Sequence, residues 1–135
     1  MQDTCLDSFI KWCKSNEKKF DFIVDVGAWC GTWKLTMQRF AKKIHCYEPN
    51  TIHYGCLARN VSAYSHVESF NQALGNRDGL VKLTTESATQ NTRVLLEKGE
   101  TQINKLDSLG YNKIDLIKID VEGLEMEVLK GATKI

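Results

Sequence analysis

The sequence predicts an α/β fold in which a parallel sheet is flanked by helices, and two observations lead to this prediction. Short apolar runs of strand length recur along the chain, at residues 20–26, 44–47, 66–74 and 114–121. Segments of helical length separate the first three of these runs. Strands that alternate with helices favour parallel pairing through right-handed crossovers, so we expect the strands to form one sheet.

Four helices are predicted around this sheet. The first covers residues 3–17, because apolar side chains recur there at helical spacing. These side chains are Leu6, Phe9, Ile10 and Cys13. The second helix is expected over residues 32–43 and the third over residues 51–60, where Asn50 can cap the start. A short amphipathic helix follows the last strand and is closed by Gly131.

The middle of the chain interrupts the alternation of strands and helices. Residues 75–79 are a cluster of turn formers, and residues 80–85 alternate in the way of a half-buried strand. Residues 86–92 are polar and indicate a loop, whereas 94–96 and 101–106 are further strand pieces. The pattern predicts a β-hairpin-like insertion.

The composition indicates one globular domain over residues 1–135, because 42% of the residues are apolar. The formal net charge is +1, and charged residues are interspersed along the chain. Nothing in this pattern indicates a nucleic-acid groove or a membrane surface. No apolar run approaches the roughly 20 residues that a membrane-spanning helix needs.

The cysteines favour a reducing compartment. There are five of them, an odd number, and no CxxC pair occurs. This usage indicates free thiols rather than a disulfide framework, so we expect a cytoplasmic protein. The histidines, which are His45, His53 and His66, do not stand at ligand spacing with these cysteines, and no zinc or other metal site is expected.

A glycine loop follows the first strand and is the leading candidate for a binding site. Gly27 and Gly31 bracket the turn from this strand into the next helix. Glycine allows backbone to approach a ligand closely, and a helix start presents unpaired N–H groups. The loop lacks the middle glycine of a dinucleotide-binding GxGxxG motif and has no Walker lysine. It therefore suits a nucleoside without phosphates, which disfavours a nucleotide-binding domain of unrelated chemistry.

Polar side chains stand at the ends of the other predicted strands. Ligands of open α/β sheets bind beyond the carboxyl ends of the strands. Glu48 lies about 20 residues after the glycine loop, where an acid can accept hydrogen bonds from ribose hydroxyls. Asn71 or Gln72 can meet an adenine edge, and Asp120 closes the far side.

Together these motifs resemble the FkbM family of S-adenosylmethionine-dependent methyltransferases. The resemblance covers about residues 20–133. The KIDVEG block with the following VLKGA, and the EPN triplet, are its most specific parts, because the DxGxxxG loop is shared by many methyltransferases. The matching segments are DVGAWCG at 25–31, YEPN at 47–50, ALG at 73–75, LDSL at 106–109, LIKIDVEG at 116–123 and VLKGA at 128–132.

The resemblance implies a Rossmann-like fold of the class I methyltransferase type, with S-adenosylmethionine as cofactor. The loop residues Asp25, Gly27, Ala28 and Gly31 would then bind the methionine part of the cofactor. Glu48 would bind the ribose. Asn71 and Gln72 would flank the adenine, and Asp120 would lie near the amino group or the reacting centre.

The expected reaction is O-methylation of a hydroxyl on a sugar or another small molecule. Alternation along the last strand puts Lys118, Asp120 and Glu122 on one side, where Asp120 or Glu122 can take the hydroxyl proton. Trp29 and Cys30 replace the small or polar residues usual in the family's loop, which would narrow the pocket or add an aromatic wall.

The resemblance also implies further strands after the last helix, whereas the sequence ends at Ile135. The expected sheet therefore lacks its last strands and part of the acceptor pocket. Two expectations follow. The first is an alternative function, a non-catalytic protein or subunit that binds S-adenosylmethionine or S-adenosylhomocysteine. The second is self-association, as a homo-oligomer, through the apolar edge strand at residues 114–121.

Overall fold

The computed structural model describes residues 4–84 and 93–135. It contains four α-helices and eight strands in these two ranges. The helices are α1 (Thr4–Ser15), α2 (Thr32–Met37), α3 (Thr51–Val61) and α4 (Glu125–Lys130). The strands are β1 (Phe20–Val26), β2 (Ala41–Tyr47), β3 (Val67–Phe70), β4 (Ala73–Leu74), β5 (Gly79–Thr84), β6 (Arg93–Leu95), β7 (Thr101–Asn104) and β8 (Leu116–Ile119).

The central sheet has four parallel strands in the order β3-β2-β1-β8, which confirms the predicted α/β class. The register pairs Asp25 with Cys46 of β2 on one side and with Lys118 of β8 on the other. Because all four strands run the same way, the carboxyl ends of β1, β2 and β8 meet at one edge of the sheet.

Alternation along β1 fills two cores, one on each face of the sheet. Ile23 packs with Cys13 and the rest of the predicted α1 stripe, so α1 covers one face as expected. Val24 and Val26 point to the opposite face, where α4 contributes Val128. All of these side chains except the outer members of the α1 stripe are buried. Within the described ranges, no helix is long and apolar enough to cross a membrane.

The predicted insertion is present as a second sheet with the order β4-β7-β5-β6. Strands β5 and β6 are antiparallel and pair Leu83 with Val94, which confirms the hairpin. Strand β5 also pairs antiparallel with β7, and β4 pairs parallel with β7. The polar loop predicted at residues 86–92 lies outside the described residues.

The prediction that the second helix extends to Lys43 is wrong. Helix α2 ends at Met37, a 3₁₀ turn covers Gln38–Phe40, and β2 begins at Ala41. The lysines of this segment favour a helix locally, but the backbone of β2 pairs with β1 from its first residue. Lys42 lies exposed on the strand, and its ammonium is 2.7 Å from the Asp21 carboxylate.

The predicted strand 66–74 is two strands in two different sheets. Strand β3 ends at Phe70, whose carbonyl accepts a hydrogen bond from the Glu48 N–H at 3.1 Å. Pro49 follows the end of the neighbouring strand β2 and has no N–H to donate, so β3 cannot continue its pairing with β2. The chain turns at Asn71 and enters the second sheet at Ala73.

Strand β8 is an edge of the central sheet among the described residues, where the sequence predicted an edge. Its four residues are only partly buried. The self-association expected at this edge stays a prediction.

Lys34 is a buried cation that the sequence pattern did not indicate. Its side chain is fully buried between α2 and α3, and burial lowers the pKa of its ammonium. The Nζ atom donates to the Asn60 carbonyl at 3.2 Å and lies 4.2 Å from the centre of the Tyr64 ring. Lys34 therefore ties α2, which borders the site described below, to the following helix.

Candidate active site

A cavity of about 570 Å³ lies over the carboxyl ends of β1, β2 and β8. The strand-end geometry therefore gathers most of the residues that the sequence singled out. Those that line the cavity are Gly27, Ala28, Glu48, Gln72, Asp120 and Glu122, together with Lys118. Asp25, Gly31 and Asn71 are not in its lining.

Gly27 is the point where the glycine loop touches the end of β8. Its φ of +77° is in the left-handed region, and its N–H donates to the Tyr47 carbonyl at 3.0 Å, as does that of Ala28. A Cβ atom at Gly27 would lie 2.0 Å from the carbonyl oxygen of Asp120. The glycine is thus needed for the contact between two backbone segments, whereas the sequence pattern had indicated the approach of a ligand.

Gly31 acts at a distance from the cavity. It has a φ of +89° and begins α2, and a Cβ atom there would lie 2.9 Å from the Leu57 side chain. Its small size lets α2 pack against α3, and the expected contact of Gly31 with a cofactor stays a prediction.

Glu48 joins the two loops that border the cavity. The residue is 6% exposed, with Oε2 accepting from the Trp29 N–H at 2.8 Å and Oε1 accepting from the Asn50 N–H at 2.9 Å. Burial raises the pKa of Glu48, and these two backbone N–H groups oppose the rise. A carboxylate has about four acceptor positions, so Glu48 retains acceptor capacity toward the cavity.

Asp25 is not in the cavity lining, and its expected contact with a cofactor stays a prediction. The residue is fully buried, and its Oδ1 atom lies 3.0 Å from the ammonium of Lys118. Burial raises the pKa of Asp25, and Lys118 opposes that rise. The sequence marked the acid because it precedes the glycine loop but could not show that its side chain is buried.

Asn71 also lies outside the cavity, while its neighbour Gln72 lies in the lining. The Asn71 side-chain amide donates to the carbonyls of Glu48 at 3.0 Å and Pro49 at 3.1 Å. Asn71 thus shapes the turn after β3, and Gln72 is the better placed of the two amides for contact with a ligand.

Asp120 and Glu122 border the cavity from the segment after β8, and both residues are exposed. The N–H of Asp120 donates to the Val26 carbonyl at 3.0 Å, which fixes the backbone of this segment against β1. Lys118 lines the cavity with them, as expected, but so does Val121, and β8 ends at Ile119. The three side chains therefore meet at the cavity without the continuous strand alternation that the sequence predicted.

Two non-glycine residues of the cavity have strained backbone. Trp29 has a φ of +50° and Glu122 a φ of +52°. Such conformations cost about 1–3 kcal/mol each and concentrate at functional sites. Of the non-glycine residues that the structure describes, only Glu17 shares this feature. No sequence signal marks the left-handed backbone of Trp29 and Glu122, because neither residue type favours a positive φ.

An aromatic and hydroxyl-bearing wall completes the cavity, and most of it was not predicted from the sequence. The Trp29 ring stands edge-on to the His53 ring, with centroids 6.3 Å apart. Three of the lining residues, Thr32, Trp33 and Thr36, recur at helical spacing on one side of α2, and this spacing was visible in the sequence. The lining residues that were missed include Leu6, Thr32, Trp33, Thr36 and His53.

Cys30 is not an activated nucleophile. Burial and the neighbouring thiol of Cys56 raise the pKa of Cys30 to about 11, so the thiol stays protonated at neutral pH. Asn60 donates to the Cys30 carbonyl at 2.8 Å, and this contact joins the loop to α3.

The fold and the cavity define an α/β domain with a concave pocket at the carboxyl edge of its parallel sheet. The chain belongs to the methyltransferase FkbM domain family, whose model matches residues 25–135. It is 29% identical over a 154-residue alignment to methyltransferase sdnD of Sordaria araneosa, which covers 82% of this chain.

The crystal structure of methyltransferase FkbM from Methylobacillus flagellatus KT has a similar fold. The TM-score is 0.59 at 18% identity, and the match covers 83% of this chain and 28% of that chain. The alignment with the Sordaria protein covers 60% of that relative. The chain therefore spans only part of the length of the relatives that it matches.

We predict that Gly27→Ala lowers the free energy of unfolding by about 2–5 kcal/mol, because it adds left-handed strain and a clash with the Asp120 carbonyl. The matched control is Gly55→Ala on the exposed face of α3, where a Cβ atom meets nothing within 4 Å. This control is expected to raise stability by about 0.5–1 kcal/mol. Urea denaturation measures both, and equal effects of the two substitutions would contradict the Gly27–Asp120 contact.

Proposed function

We propose that this chain binds S-adenosylmethionine in the cavity and transfers its methyl group to a hydroxyl of a sugar or another small molecule. The observation that carries the proposal is the buried Glu48 carboxylate, which retains acceptor capacity beside the glycine loop. Membership of the methyltransferase FkbM domain family supports the same reaction class.

The residues present fit an adenosyl cofactor. The cavity volume lies within the range of about 300–1,000 Å³ that is usual for small-molecule sites. Glu48 would accept hydrogen bonds from the ribose hydroxyls, and Gln72 would pair with an adenine edge. Apolar walls for the base come from Val26, Ala73 and Leu74. Asp120 would stand beside the reacting centre.

The chain's own contribution to methyl transfer is alignment and proton uptake. A bound S-adenosylmethionine supplies an electrophilic methyl group on a sulfonium. The rigid strand ends and the glycine loop hold the donor and acceptor in line, which accounts for much of the rate enhancement in such transfers. A carboxylate oxygen of Asp120 would accept the proton of the acceptor hydroxyl, with Glu122 as the second candidate base.

A non-catalytic function is the second candidate. In that case the cavity binds S-adenosylmethionine or S-adenosylhomocysteine without turnover, as a subunit or a sensor. Self-association through the β8 edge, as a homo-oligomer, is a further proposal, which light scattering tests.

Asp120→Asn is expected to lower turnover about 10²-fold or more, because the amide cannot accept the proton, while S-adenosylhomocysteine affinity stays within about threefold. Asp21→Asn, on the exposed amino-terminal end of β1, is the control and leaves both quantities unchanged. Calorimetry measures binding, and transfer of a tritiated methyl group to a panel of hydroxylated acceptors measures turnover.

Unchanged turnover in Asp120→Asn would remove this residue from the mechanism. Binding without transfer to any acceptor in the panel would favour the non-catalytic function. Absence of binding to either form of the cofactor would contradict both functions.

The affinity for S-adenosylhomocysteine is expected to fall as the pH is lowered through the pKa of Glu48. Burial raises this pKa, so the fall begins at a higher pH than an ordinary glutamate would give. Above the pKa the ionised carboxylate accepts both ribose hydroxyls, and below it one oxygen carries a proton. Glu48→Gln should bind about tenfold more weakly at pH 7 and lose this pH dependence. An identical pH profile in the variant would exclude Glu48 as the ribose ligand.

A further inference from the structure

We infer that Lys118 is a positioning residue that links the buried carboxylate of Asp25 to the glycine loop and so holds the loop in the shape that binds the cofactor. This inference rests on the proposed function and adds a residue to it.

Lys118 contacts three parts of the site at once. Its ammonium lies 3.0 Å from Asp25 Oδ1 and donates to the Gly27 carbonyl at 2.9 Å. Its side chain is 21% exposed and borders the cavity. The register explains the geometry, because Asp25 and Lys118 are directly paired residues of β1 and β8.

Asp25 depends on this cation. Its side chain is fully buried, and among the described residues neither of its oxygens has a hydrogen-bond partner, so the Lys118 ammonium at 3.0 Å is the opposite charge that compensates it. The titratable groups that face it are Lys118 and Asp120 from β8 and its end, and the buried Cys46 from β2. The Asp120 charge and the burial both raise the pKa of Asp25, and Lys118 opposes them. A carboxylate in such a place stays ionised only beside a cation.

The Gly27 carbonyl is where this ion pair acts on the site. Fixing that carbonyl fixes the peptide plane that carries the N–H of Ala28, which donates to Tyr47 at 3.0 Å. The next N–H in the chain, that of Trp29, donates to the carboxylate of Glu48. Lys118 therefore fixes the backbone at Gly27, and Trp29, two residues further on, holds the proposed ribose ligand Glu48. Asp25 itself touches no ligand in this arrangement.

The test compares Lys118→Met, Asp25→Asn and the double variant, with Lys113→Met as the matched control. Lys113 also pairs with an aspartate, at 3.0 Å from Asp115 just before β8, but its side chain is 76% exposed. Calorimetry measures S-adenosylhomocysteine affinity, and urea denaturation between about pH 5 and pH 8 measures stability.

Lys118→Met should weaken S-adenosylhomocysteine binding about tenfold or more, because the Gly27 carbonyl loses its donor. Its stability should fall as the pH rises. Without Lys118 the pKa of Asp25 in the folded protein lies further above its pKa in the unfolded chain. The folded protein then binds the proton more tightly than the unfolded chain does, and this contribution to stability is lost as the pH rises through the folded-state pKa. The double variant should lose that pH slope but keep the weak binding, and Lys113→Met should resemble the native protein.

Two results would overturn the inference. One is native affinity in Lys118→Met or in the double variant, since a merely structural ion pair would be rescued by neutralising Asp25. The other is a pH slope of stability that persists in the double variant, since it would show that Asp25 does not sense Lys118. Failure of the native protein to bind S-adenosylhomocysteine would instead contradict the proposed function, and the pH slopes would still test the coupling.

Discussion

The contact between Gly27 and the carbonyl of Asp120 is the constraint on which the site depends. No side chain fits between these two backbone segments, because a Cβ atom would lie 2.0 Å from the oxygen. The contact brings the end of β8, with its acids, against the loop that follows β1. Parallel pairing aligns the strands, but this contact sets how closely the loop and the acidic segment approach each other at the edge of the cavity.

Charge inside this small volume is arranged in two ways. Asp25 is buried and paired with Lys118, so its function is internal to the fold. Glu48 is also buried, but it accepts from the backbone N–H groups of Trp29 and Asn50 and lines the cavity. Asp120 and Glu122 remain exposed at the opposite wall. The acids can thus have separate functions, because one holds the loop, one can bind a ligand, and the exposed pair can accept a proton.

Much of the fold was predictable from local pattern. The apolar run of β1, the stripe of α1 and the Asn50 cap of α3 are each set by near neighbours in the chain, and each is observed; the cap accepts from the N–H groups of Ile52 and His53. The start of β2 was not predictable in this way. Its lysines fit a helix locally, and only pairing with β1 makes this segment a strand.

The site was predictable to the level of strand ends but not of side-chain direction. The sequence placed Glu48 and Asp120 at the carboxyl edge, and both line the cavity. It could not show that the Asp25 side chain is buried or that the Asn71 side chain turns toward backbone carbonyls, because both depend on packing between distant parts of the chain. The left-handed backbone of Trp29 was equally hidden, since nothing in its residue type favours positive φ.

The most direct test of the proposed cofactor site is a crystal structure of the protein with S-adenosylhomocysteine. We predict electron density for the adenosyl group over the ends of β1 and β2, with both ribose hydroxyls within about 3 Å of the Glu48 carboxylate oxygens. Ordered ligand elsewhere on the molecule, or a ribose whose hydroxyls face away from Glu48, would contradict the assignment of this cavity as the cofactor site.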